Sequence, residues 1–187
     1  MRIISGNFKG KKILEPKDKE TRPLKDLTKE SIFNIINHSN KFEIIINKSK
    51  ILDVFSGVGS FGIECLSRGA VNVTFIENYK EALLVLKRNL LDLKLNNYKI
   101  VEKNAYDHNT LTELDKNFDL IFLDPPYKDK NLEILLKNIQ DKFLLKRNGI
   151  IVLHRHKDTK DNIPTGFKIL EEKKYGISRV IFISCLN

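Results

Sequence analysis

Ile51-Leu52-Asp53-Val54-Phe55-Ser56-Gly57-Val58-Gly59-Ser60-Phe61-Gly62 is the stretch that decides the fold. A short apolar run enters a G-x-G-x-x-G and leaves it as a helix expected to reach about Arg68, the strand–loop–helix unit of a nucleoside-binding α/β sheet. The glycines permit a tight turn and close approach of a ligand to the backbone. Glu77 stands 20 residues after Gly57, at the end of a second apolar run, Val73-Thr74-Phe75-Ile76. An acid at that spacing can accept hydrogen bonds from both hydroxyls of a ribose. The glycine pattern alone is weak, but strand, helix and acid together favour a nucleoside-type cofactor over a chance glycine cluster.

NAD and S-adenosylmethionine both suit this pattern, and charge separates them. A pyrophosphate settles on a helix N-terminus and is repelled by a neighbouring anion. Asp53 lies inside the strand, ahead of the first glycine, and is expected to disfavour pyrophosphate while receiving the amino group of a methionine moiety.

Leu120-Ile121-Phe122-Leu123 reads as another buried parallel strand and runs into Asp124-Pro125-Pro126-Tyr127. Ligands of open α/β sheets bind at the carboxyl ends of strands. Consecutive prolines remove two backbone donors and fix the chain, so the turn accepts hydrogen bonds rather than donating them. Asp124 and the Pro125 carbonyl, with the Tyr127 ring beside them, suit a planar group carrying an NH₂. The competing reading is a polar turn that only closes a strand, since Asp-Pro is common in turns.

Taken with Arg2-Ile3-Ile4-Ser5-Gly6, Lys9-Gly10-Lys11-Lys12, Thr21-Arg22-Pro23, Glu30-Ser31-Ile32-Phe33-Asn34 and Leu66-Ser67-Arg68-Gly69-Ala70, these motifs make the chain resemble the RsmD family over almost its whole length. Those are bacterial methyltransferases acting on the N2 amine of one guanine in 16S rRNA of the small ribosomal subunit. The resemblance implies an α/β, Rossmann-like, seven-stranded S-adenosylmethionine-dependent methyltransferase sheet with a short N-terminal β-hairpin extension. It implies Asp124, Pro125, Pro126 and Tyr127 as catalytic residues, and Asp53, Phe55, Gly57, Gly59, Glu77, Asn104, Ala105 and Arg22 around the cofactor. Asn104-Ala105 stands where the family more often carries Asp-Ala, and an amide can still hydrogen-bond adenine. Arg2, Lys9, Lys11 and Lys12 are implied as RNA-binding, with rRNA in a partly or fully assembled 30S subunit as partner, no metal, no membrane, and a monomer in the cytoplasm.

Three other readings stay open on the residues alone. The same NH₂ cradle would serve N6-adenine methylation of DNA or RNA, or modification of a protein glutamine, and a chain that kept the fold without activity would be an RNA-binding assembly factor. The intact Asp124–Tyr127 motif counts against the last.

Length and charge agree with one intracellular enzyme. The 187 residues are expected to form a single domain, with 1–24 as a basic RNA-binding extension, and the net charge is +9. Between Met1 and Lys29 stand nine basic side chains, Arg2, Lys9, Lys11, Lys12, Lys17, Lys19, Arg22, Lys25 and Lys29, against four acids. Such clustering on a glycine- and proline-broken segment reads as a phosphate footprint, against the plainer reading of a lysine-rich soluble surface. Met1-Arg2-Ile3-Ile4 breaks into Gly6 and lysines, unlike a signal peptide. No apolar stretch approaches the ~20 residues that span a bilayer. Cys65 and Cys185 lack metal or disulfide spacing and are expected to be buried, reduced packing residues.

The remaining pattern predicts a helix from Asp26 to about Asn37, capped by Asp26 or Thr28, with Leu27, Ile32, Ile35 and Ile36 near one face and Phe33 on its flank. Further helices are expected over Tyr79 to about Leu93, Asp107 to Leu114 and Asn131 to about Phe143, and strands over Lys99–Glu102, Phe118–Leu123 and Gly149–Leu153. Phe167–Lys174 and Ser178–Ser184 close the chain as an antiparallel hairpin. His154-Arg155-His156 is expected at the surface near RNA phosphate.

Overall fold

A computed structural model describes residues 1–16 and 24–186. Among the described residues seven strands form one sheet: β1 (Lys50–Val54), β2 (Asn72–Ile76), β3 (Tyr98–Val101), β4 (Phe118–Leu123), β5 (Leu145–His156), β6 (Phe167–Tyr175) and β7 (Ser178–Cys185). Their order is β3-β2-β1-β4-β5-β7-β6, parallel except where β7 runs against β5 and β6. The chain order reverses between β1 and β4, so the crevice at their carboxyl ends is the topological switch point.

Both faces of the sheet are covered, which is why its strands are nearly unbroken apolar runs. Successive residues serve opposite layers: Ile51 packs with α1 (Asp26–His38), α2 (Ser60–Ser67) and α3 (Lys80–Asp92), whereas Leu52 and Val54 pack with α4 (His108–Thr112) and α5 (Leu132–Asp141). Phe33, Phe61 and Phe122 stack in succession, with centroids 5.1 and 4.0 Å apart, and tie α1 to α2 and the sheet. Phe33 is therefore central to the core rather than on a flank.

α1 departs from expectation in two further ways. Its N-cap is Lys25, with no side-chain cap, and Leu27 is 79% exposed while Thr28 and Lys29 turn inward. β5 starts earlier than Gly149, because a register shift against β4 lets Leu145 pair with Phe118 before Ile150 pairs with Leu120. A Cβ on Gly149 would stand 2.9 Å from the Asp119 carbonyl, so the irregularity depends on that glycine. Cys65 is buried as expected, but Cys185, at the end of β7, is only half-buried. No helix among the described residues is long and apolar enough to cross a membrane.

The N-terminal segment folds back on itself through one antiparallel bridge, Arg2 to Lys12, shorter than a full hairpin ladder. It is fastened to the domain by buried polar groups. Glu64 of α2 accepts the N–H groups of Ile4 and Ser5 at 2.8 and 2.9 Å, and Asn89 of α3 accepts Leu14 N–H at 2.8 Å. Ile3 and Ile13 are buried beneath it. Gly6, at φ +82°, lies so close to α2 that an added Cβ would be 1.9 Å from the Ser67 carbonyl oxygen.

Lys29 carries none of its charge to the surface. It is fully buried, donates from Nζ to the Arg2 carbonyl at 2.9 Å, and lies 3.5 Å from Glu64, which Arg68 also pairs at 2.9 Å. Burial lowers its pKa and Glu64 partly restores it. The basic footprint is thus smaller than the composition suggests.

Candidate active site

The glycine loop leaves β1 with three successive odd positions in the left-handed region: Phe55 at φ +58°, Gly57 at +54° and Gly59 at +83°. Glycine tolerates this freely, but Phe55 does not, so its neighbours must hold it. Its ring meets Tyr106 at 5.5 Å. A Cβ on Gly57 would meet nothing within 4 Å, so this ledge opens outward, whereas one on Gly59 would strike Leu86 at 2.5 Å. The two glycines do different jobs, one facing the crevice and one the core.

Glu77 ends β2 half-buried beside that ledge. Its Oε2 accepts Gly57 N–H at 2.7 Å, and its Oε1 accepts the N–H groups of Asn78 and Tyr79 at 2.9 and 2.8 Å. A carboxylate therefore already takes the loop donor that a phosphate would seek, and its negative charge would repel a pyrophosphate. Asn104 is exposed past β3, its Oδ1 accepting Tyr106 N–H at 3.0 Å, and Ala105 is buried beneath it. Glu77, the Gly57 ledge, Phe55 and Asn104 thus lie along one edge, beyond the ends of β1, β2 and β3. That donor set fits a nucleoside with free hydroxyls and an uncharged base. Arg22 lies outside the described residues.

Asp53 is placed beneath the loop. It is 1% exposed, and its Oδ2 accepts Gly62 N–H at 2.9 Å inside the first turn of α2. Burial pushes its pKa up to about 8 against the pull of the Gly62 hydrogen bond, with Asp124 and Glu77 adding to the rise. The expected open carboxylate is instead an interior group, because β1 alternates its side chains and this one points under the helix.

Asp124 continues the β1–β4 ladder by donating its N–H to Val54 O at 3.3 Å, and its side chain stays partly exposed. Since Val54 pairs with Leu123, the Asp124–Tyr127 turn and the glycine loop emerge from adjacent strands at the same edge. Arg155 clamps this turn. Its Nη1 donates to Pro126 O at 2.9 Å and its Nη2 to Asp129 O at 2.8 Å, while Asp161 receives its Nε at 2.9 Å and Arg179 at 2.8 Å. With Pro126 O committed, the buried Pro125 is the proline whose carbonyl was expected to serve the site.

His154 lies 2.8 Å from Asp124 Oδ1 through Nδ1 and 3.0 Å from Ser178 Oγ through Nε2. Tyr127 is met edge-on by His154 and His156, at 6.4 and 5.2 Å. The expectation of a surface His-Arg-His fails for two of the three, since Arg155 is fully buried and His154 nearly so. They end a strand at the ligand edge, but a run of charged letters reads as surface unless the acids that pair with them are known. Arg2, Lys9, Lys11 and Lys12 are exposed, with Lys11 5.1 Å above the Phe8 ring and Arg2 3.9 Å from Asp26.

A family model described as conserved hypothetical protein 95 matches residues 1–184. The chain is 34% identical over 176 residues to the ribosomal RNA small subunit methyltransferase D of Buchnera aphidicola subsp. Baizongia pistaciae, covering 93% of this chain and 86% of that protein. It is 33% identical over 179 residues to the protein of the same name from Haemophilus influenzae, covering 95% and 90%. The solved structure of yhhF from Escherichia coli superposes with a TM-score of 0.84 at 27% identity, covering 99% of this chain and 97% of that one. The chain therefore belongs to the conserved hypothetical protein 95 family, which is the RsmD family its motifs resemble, and it has the Rossmann-like methyltransferase fold.

Proposed function

We propose that the protein transfers a methyl group from S-adenosylmethionine to the exocyclic N2 of a guanine in 16S rRNA, acting as a monomer on a partly or fully assembled 30S subunit. The observation that carries this reading is the emergence of the Gly57 ledge and the Asp124–Tyr127 turn from adjacent parallel strands, β1 and β4, at one edge of the sheet. The small-subunit rRNA methyltransferase name of the relatives supplies the substrate class.

When bound, the cofactor would supply an electrophilic methyl on a sulfonium. Glu77 would accept the ribose hydroxyls, Asn104 and Ala105 would flank the adenine, Phe55, Gly57 and Gly59 would shape the ledge, and Asp53 would hold the start of α2 from below. Arg22 is assigned to the same side by the resemblance.

Guanine N2 is a poor nucleophile because its lone pair is delocalised into the ring. Asp124 and the Pro125 carbonyl would accept its two hydrogens and let the nitrogen pyramidalise. The amine gains a methyl and loses one proton, which Asp124 can take once the nitrogen has become cationic and acidic. Positioning and fixed dipoles would supply most of the acceleration. Tyr127 would stack on a base drawn out of its helix, and Arg2, Lys9, Lys11 and Lys12 would hold phosphate.

The experiment is incubation with labelled cofactor and naked rRNA, 30S particles or DNA, followed by digestion to nucleosides. Label in N2-methylguanosine from rRNA or 30S particles is the expected result. Label in N6-methyladenosine would replace the base, and no label in any nucleic acid would overturn the reading.

A further inference from the structure

Asp124 does not stand alone at the mouth of the site, and nothing in the transfer chemistry above calls for an imidazole behind it. A carboxylate free to rotate would accept the amine hydrogens equally often from either oxygen and in many poses. Here one oxygen is fixed. His154 reaches it from β5, one strand over, with Nδ1 2.8 Å from Oδ1, and the ring is only 5% exposed. Ser178 at the start of β7 holds the far side of the ring at 3.0 Å. The Tyr127 edge closes a third side at 6.4 Å.

We infer that His154 is a positioning residue for methyl transfer, locking Asp124 through Nδ1–H so that its other carboxylate oxygen is presented to the substrate amine. This rests on the reading of Asp124 as the acceptor for that amine. A carboxylate cannot donate, so Nδ1 must carry the hydrogen. In the neutral ring Nε2 then accepts from the Ser178 hydroxyl. In the imidazolium it donates to the same oxygen, which can serve either way. The hydrogen-bond chain survives titration, and what changes is the charge behind Asp124.

The charged groups around the ring set where that change falls. Burial favours the neutral ring, but Asp124, by its charge and its hydrogen bond, outweighs burial and raises the pKa above the ordinary 6.5, with Arg155 opposing. Arg155 is itself paired with Asp161, which also takes Arg179 from β7, and His156 lies across the Tyr127 ring. The imidazolium sets a full positive charge against the Asp124 carboxylate, where it competes with the amine hydrogens, and the neutral ring does not.

The test compares His154→Ala and His154→Asn with the parent on rRNA and 30S particles, following kcat and KM across pH, cofactor affinity by calorimetry, and the imidazole titration by NMR in the parent and in Asp124→Asn. Asn keeps a donor near the position of Nδ1 and cannot titrate. His154→Ala should lose roughly 10- to 100-fold in kcat with cofactor affinity unchanged. His154→Asn should recover much of kcat and lose the pH limb assigned to the imidazole. The ring should titrate lower in Asp124→Asn than in the parent. A folded His154→Ala with parental kcat and pH profile would overturn the inference. If His154→Ala does not fold, a His154→Asn profile identical to the parent's, or an imidazole indifferent to Asp124→Asn, would overturn it equally. The nucleoside that the parent methylates tests the functional reading separately, because the variant ratios are taken on whichever nucleoside that is.

Discussion

Gly57 donates its backbone N–H to Oε2 of Glu77 at 2.7 Å, tying the ledge of the glycine loop to the acid at the end of the neighbouring strand. Glu77 is thus a brace for the loop as well as the proposed ribose acceptor. Glu77→Ala should weaken cofactor binding by ~1.5–3 kcal/mol through loss of charge-assisted hydrogen bonds. Calorimetry on the folded variant checks this, and unchanged affinity would remove Glu77 from the site.

Asp124→Ala should abolish methyl transfer and spare cofactor affinity, because the proposed role of this side chain is to serve the nucleophile. Tyr127→Ala should reduce turnover through weaker stacking, worth ~1–3 kcal/mol per base. Tyr127→Phe should be mild, since the proposed stacking uses the ring face and not the hydroxyl. Single-turnover assays beside calorimetry separate the two steps, and a parental rate in Asp124→Ala would end the cradle mechanism.

Replacing Lys9, Lys11 and Lys12 together by Ala should weaken RNA binding and flatten its salt dependence by ~0.7–0.9 units of slope for each phosphate that is no longer neutralised. All three are exposed, so folding should be unaffected. A salt titration of the triple variant decides, and an unchanged slope would move the RNA surface elsewhere.

Asp53 makes stability depend on pH in a stated direction. Its folded pKa is about 8 against an ordinary 3.8, so between those values the folded chain holds a proton that the unfolded chain has released. Stability from this group is fully present below pH 3.8 and declines as pH rises towards about 8. Asp53→Asn can still accept Gly62 N–H through its amide oxygen and has no such dependence. Its stability relative to the parent should therefore grow across that range, as denaturant unfolding at several pH values would register.

Glu64→Ala should destabilise the protein by about 3–5 kcal/mol, because it leaves Lys29 buried without its partner. It also strips the acceptor from Ile4 and Ser5, so the N-terminal segment should loosen from α2. Hydrogen exchange at those two amides, together with urea unfolding, is the measurement, and parental protection at both would show that the segment is held by other interactions.

Much of the architecture was written locally. Phe118–Leu123 was legible to the residue and the other strands to within a residue at either end, because a parallel sheet covered on both faces needs continuous apolar runs that turn residues then cut; the exception is β5, whose Leu145–His156 extends well beyond the apolar Gly149–Leu153 at both ends. The glycine ledge was legible because Gly57 and Gly59 mark its left-handed positions, although the left-handed Phe55 beside them was not, and the Asp124–Tyr127 turn was legible because two prolines leave little freedom. What the sequence could not decide was the fate of its charges. Lys29, Asp53, His154 and Arg155 read as surface or ligand-facing letters, yet all four are buried, as is Glu64. Glu64 meets Ile4 across 60 positions, and His154 meets Asp124 across 30. A charge can enter the interior only where opposite charges and hydrogen-bond donors or acceptors converge on it, and that convergence exists only once the strands and helices have packed.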